Sequence, residues 1–104
     1  MYLMVTVYYP NDQGEAVLNK YVEVMGKYPP DESIGTVVLP ASGRGTKDGM
    51  EVHTISEINK GKLDEAMIRV GKMLHEYRGI PGYRYETKTL MTAEEAMEIN
   101  GMKG

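Results

Sequence analysis

The sequence predicts an α+β domain whose elements run strand, helix, strand, strand, helix, strand, with a short helix at the end. Three observations carry this. A β-branched and aromatic run, Tyr2 to Tyr9, opens the chain. Two segments, Glu15 to Met25 and Lys62 to Arg78, repeat apolar residues at helical spacing. The other apolar runs, Ile34–Leu39, Met50–Ile58 and Gly82–Leu90, are short and bounded by glycine, proline or asparagine. At 104 residues the chain is the size of one domain, residues 1–104, and too short for two independent cores.

Taking the elements in order, the first strand places Leu3, Val5, Val7 and Tyr9 in one row and Tyr2, Met4, Thr6 and Tyr8 in the other. Neither row carries a charge, so both faces of this strand are expected to be covered. Pro10 to Gly14 reads as a turn, with Asp12 and Glu15 spaced as a capping box for the first helix. That helix carries the stripe Val17, Leu18, Tyr21, Val22 and Met25, and Gly26 with Pro29-Pro30 is expected to end it. Ile34 to Leu39 makes the second strand, and Pro40 to Gly49 reads as a polar, glycine-rich loop. The third strand, Met50 to Ile58, is followed by a second helix with the stripe Leu63, Ala66, Met67, Val70, Leu74 and Tyr77. Asp64 and Glu65 suit its first turn, and Gly79-Ile80-Pro81 stops it. In the fourth strand a charged row, Arg84, Glu86 and Lys88, marks an edge or a rim. Thr92 and Glu95 form a capping box for the last helix, Ala93 to Ile99.

Right-handed crossovers in both strand–helix–strand units put two helices on one face of a four-stranded antiparallel sheet, the ferredoxin-like βαββαβ arrangement. The opposite face is then open. Its row of Tyr2, Met4, Thr6 and Tyr8 is too apolar for free exposure, which predicts a homodimer joined through the sheet face.

Composition narrows the function classes. Without cysteine there is no disulfide, thiolate nucleophile or sulfur-ligated metal. A net charge of −3 argues against nucleic acid, whose binding draws on clustered Lys and Arg. The start of the chain lacks the pattern of a signal peptide, and no apolar run approaches the roughly 20 residues that cross a bilayer, so a cytoplasmic location without membrane contact is expected. Two histidines without a spacing motif and scattered carboxylates predict neither a metal site nor a cofactor. Eight tyrosines and nine methionines, with no Phe or Trp, suit a pocket or an interface as well as an ordinary core.

From Tyr2 to Leu90 the element order and lengths resemble the dimeric α/β barrel superfamily, as does the passage Tyr77-Arg78-Gly79-Ile80-Pro81-Gly82-Tyr83-Arg84-Tyr85-Glu86. The resemblance implies two ferredoxin-like sheets paired into a barrel. Members include stress-responsive proteins, cofactor-independent monooxygenases, isomerases and haem-binding enzymes, so fold alone decides little.

The candidate site residues follow from position and chemistry. His53, on the third strand, is the candidate general base. Tyr8, Tyr83 and Tyr85 are candidate pocket walls, Arg84 a partner for an anionic group, and His75 a further polar contact. Each also has a plainer reading as core, interface or helix surface. The segment Ser42-Gly43-Arg44-Gly45-Thr46-Lys47 offers backbone N–H groups and two cations to a phosphate but lacks the order of a Walker loop. The expected function is binding of a small, largely apolar molecule between sheet and helices. The alternatives are a cofactor-independent monooxygenase or isomerase with His53 as base, and an RNA-binding module reading bases on Tyr2 or Tyr8.

Overall fold

A computed structural model describes residues 1–102. Strand β1 spans Tyr2–Tyr9, helix α1 Gly14–Lys27, β2 Gly35–Thr46, β3 Gly49–Ile58, α2 Leu63–His75, β4 Arg84–Leu90 and α3 Ala93–Ile99. The four strands form one antiparallel sheet in the order β2-β3-β1-β4. β1 and β3 are central, as the uncharged rows of β1 require.

Both long helices lie on the face carrying Leu3, Val5, Val7 and Tyr9. One cluster joins Tyr9 to Val17 and Val24 of α1 and to Tyr77, with Val7, Met50, Val52 and Tyr83 packed against it. A second joins Leu3 and Ile58 to Ala66 of α2, flanked by Val5, Leu63 and Val70. Tyr77 and Tyr83 stack with ring centroids 4.7 Å apart and planes 3° from parallel. The stripe expected on α2 thus faces the sheet over most of its length, but the helix ends at His75 rather than Arg78: a turn follows that carries Tyr77 into the core, and Gly79, at φ +91°, closes it.

Four local expectations need correction. The Asp12–Glu15 spacing forms no capping box: a single 3-10 turn, Asn11–Gln13, leads into α1, whose N-cap Gln13 makes no side-chain cap bond. Gly26 does not stop α1 but lies within it in right-handed conformation; the helix runs to Lys27 and halts before Pro29-Pro30, which cannot extend it. The stripe of α1 is rotated. Val17 and Val24 are buried, while Leu18 and Val22 are 60% and 72% exposed. Lastly, most of Pro40–Gly49 is strand rather than loop. β2 continues to Thr46, with pairing shifts between Val37 and Leu39 and between Leu39 and Ser42, and only Lys47 and Asp48 lie outside the strands, at the hairpin tip. A side chain on Gly43 would press on Val52 Cγ2 at 3.0 Å, so this glycine lets the edge strand lie under the valine of its neighbour.

The capping box of α3 is present: the Thr92 hydroxyl accepts from the Glu95 N–H at 3.1 Å, and Glu95 accepts from the Thr92 N–H at 2.9 Å. Glu95 also pairs with the α-ammonium of Met1 at 2.7 Å, tying α3 to the start of β1. No helix among the described residues is long and apolar enough to cross a membrane.

Candidate functional site on the open sheet face

Antiparallel pairing puts directly opposed residues on the same face, so the registers define what lies on the side away from the helices. Crossing the sheet from β2 to β4, four rows occupy it. They are Arg44–Glu51–Tyr8–Arg84, Ser42–His53–Thr6–Glu86, Leu39–Ile55–Met4–Lys88 and Thr36–Glu57–Tyr2–Leu90. The charged row of β4 therefore borders this face along its edge. The half beside the β2–β3 hairpin is polar, and the next row is mainly aliphatic.

The polar half is a connected network. Glu51 Oε2 accepts from Arg44 Nε at 3.2 Å and from His53 Nε2 at 2.8 Å. A carboxylate only accepts, so Nε2 carries a proton; neutral His53 then presents Nδ1 as acceptor to the Thr6 hydroxyl, 3.0 Å away. These donors, His53 first and Arg44 second, hold the Glu51 carboxyl below its ordinary range. Thr6 is 3% exposed and has its hydroxyl satisfied in this way. On the other side of β1, Tyr8 donates its hydroxyl to Glu86 Oε1 at 2.9 Å, a bond that raises the Tyr8 pKa. Among the described residues no buried side-chain polar atom lacks a partner.

At the hairpin end of the sheet is a hollow of about 520 Å³ lined by Tyr8, Arg44, Glu51 and Arg84 of the open face, by Lys47 and Asp48 of the hairpin, and by Tyr9 and Met50 of the other row. A second, smaller hollow of about 250 Å³ lies on the helix side, between α2 and the segment that follows α1. Its Arg69 is already committed: the guanidinium donates to the Pro29 carbonyl and stands 5.8 Å from the centre of the Tyr28 ring.

The candidate residues divide accordingly. Tyr8 and Arg84 meet at the larger hollow, and His53 lies beside it, one partner removed through Glu51. Tyr83 is in the core stacked on Tyr77, where burial raises both phenols, that of Tyr77 to about 12. Tyr85 pairs with Val7 and so projects on the helix side, half exposed at the sheet edge. His75 is exposed in the last turn of α2, on the opposite side of the sheet from His53. Residue type alone marks Glu86 only as a member of the charged row of β4 and gives Glu51 no role. Alternation along β3 places Glu51 with His53, but the Tyr8–Glu86 contact spans 78 positions and depends on the register of β4 against β1.

The fold and the site together define an α+β protein with helices on one face of its sheet and a partly apolar, partly charged open face on the other. No protein-family model matches the sequence, and no curated protein matches it.

Proposed function

We propose that the protein is a homodimer of ferredoxin-like subunits, paired sheet to sheet as an α/β barrel, that binds a small, largely apolar molecule in the chamber between its open faces. The observation that carries this is surface area. A monomer of 11.6 kDa typically exposes about 5,800 Å², whereas this chain exposes 7186 Å². The excess, on the order of 1,000 Å², is what one partner contributes to a stable interface. The radius of gyration, 15.4 Å against about 13 Å for a compact chain of this length, points the same way. The ferredoxin-like reading is supported by the interleaving of two split βαβ units, with β3 between β1 and β2 and β1 between β3 and β4.

The chamber belongs on the open face because the space between sheet and helices is occupied by Tyr9, Val17, Val24, Tyr77 and the side chains around them. The reading of His53 as a general base has less support, since both ring nitrogens are engaged by Glu51 and Thr6 and neither is free for a substrate. RNA binding is supported less still: β3 contributes Glu51, His53, Ile55 and Glu57 to the open face, two acids and no aromatic base platform.

Light scattering across a concentration series tests the proposal. The expected mass is twice 11.6 kDa, and Met4→Lys, which charges the centre of the open face, is expected to return the chain to a folded monomer. A wild-type mass of one chain at all concentrations would overturn the pairing.

A further inference from the structure

We propose that the hollow at the hairpin end of the open face receives the carboxylate of an amphiphilic acid, with Arg84 as its principal ligand and Arg44 and Lys47 beside it. The inference rests on the reading of the open face as a binding chamber and specifies what that chamber selects.

The argument is one of unspent charge. Three cations wall the hollow, Arg44, Lys47 and Arg84, against two acids, Asp48 and Glu51. Glu51 is already shared between Arg44 and His53 through Oε2, so part of its charge is offset within the sheet. Asp48 stands exposed at the hairpin tip, where water reaches it. Arg84 forms no ion pair and no side-chain hydrogen bond among the described residues. Lys47 likewise forms none, and Arg44 engages Glu51 through Nε alone. The nearest acid on the same strand, Glu86, has Oε1 engaged by the Tyr8 hydroxyl. An unpaired arginine at the wall of a concavity is suited to a planar oxyanion, because its forked N–H groups match a carboxylate two to two.

The rest of the ligand follows from the rows. Alternate residues on a strand are separated by about 7 Å, so the aliphatic row Leu39–Ile55–Met4 lies about 14 Å from the Arg44–Arg84 row. A molecule with its charged head beside Arg84 lays its apolar tail over Thr6 and His53 towards that row, and the polar atoms of both are already satisfied by each other and by Glu51. The helix-side hollow is a poorer match: its Arg69 is already bound to the Pro29 carbonyl, and its other cation, Lys72, is a point charge without the forked N–H groups of an arginine.

Octanoate and octan-1-ol differ in the head group alone, so they serve as probes in amide-resolved NMR titrations of the full chain. Octanoate is expected to bind about tenfold or more tightly than the alcohol, shifting the amides of Tyr8, Gly49 and Arg84. Arg84→Gln is expected to abolish that preference while leaving the solution mass unchanged. Equal affinities for the two probes, or a preference that survives Arg84→Gln, would overturn the head-group assignment and leave the chamber standing. If neither probe shifts any open-face amide, the chamber itself is wrong, and the assignment falls with it.

Discussion

Val24 and Val22 sit two residues apart on α1 and test the orientation of that helix by the same chemical change. Val24 is 1% exposed, within the cluster that joins α1 to Tyr9 and Tyr77; Val22 is 72% exposed. Val24→Ala removes two buried carbon atoms, about 1.6 kcal/mol of transfer free energy, and leaves a void that the surrounding tyrosines fill only in part. The void raises the cost, while the better helix propensity of alanine returns up to about 0.5 kcal/mol. The net expected loss is about 2 kcal/mol, a fall of roughly 8–16 °C in Tm for a chain of this size. Val22→Ala has the propensity gain and almost no burial to lose, so it should leave stability unchanged or raise it by up to about 0.5 kcal/mol. Urea unfolding followed by far-UV circular dichroism, at one fixed protein concentration because association shifts the midpoint, gives both values. If Val22→Ala costs as much as Val24→Ala, the packing described for α1 is refuted, and the helix faces the sheet along Leu18 and Val22 instead.

Four further outcomes follow from the site, the core and two glycines. Glu51→Gln should flatten the acid limb of the stability curve: the depressed Glu51 pKa contributes stability that is complete above its ordinary value of 4.5 and is lost as pH falls through the folded-state value, as an acid titration of both proteins would reveal. At the alkaline end the sign reverses. Tyr77 ionises near 12 when folded and near 10 when unfolded, so stability falls as pH rises between these values, and Tyr77→Phe should fall less over the same range in a denaturant series. Gly71→Ala, in the interior of α2 with no atom within 4 Å of the new methyl, should stabilise by about 0.5–1 kcal/mol. Gly82→Ala should instead destabilise by about 1–3 kcal/mol, because φ is +74° and the methyl would meet Pro10 Cγ at 2.5 Å; thermal melts of the two variants should move in opposite directions.

Much of this architecture is legible in the residues because local chemistry and tertiary packing agree there. β1, the α2 stripe and the Thr92–Glu95 box each specify one conformation without help from distant parts of the chain. Where they disagree, the sequence misleads. α1 has an apolar arc that extends from Val17, Tyr21 and Val24 round to Leu18 and Val22, wider than the sheet can cover, and periodicity alone does not say which half turns inward. Pro40, Gly43 and Gly45 have the composition of a loop, yet β3 supplies both the pairing and the side chains, Val52 and Met50, that lie against those glycines. The site is a matter of register. His53 and Arg84 attract attention by residue type, whereas the partners that define their surroundings come from strands far apart in sequence.

The broken pairing of β2 has a consequence for how the molecule behaves in a crowded solution. As the outermost strand on its side, β2 presents a row of unpaired peptide groups next to the exposed Val37 and Val38, the combination from which fibrils grow. The two register shifts between Val37 and Ser42, with Pro40 among them, interrupt that row after a few residues. An incoming strand finds a short, kinked template and gains too few hydrogen bonds to remain. The irregularity thus protects the folded molecule from self-templated growth at the edge where its valines are most exposed.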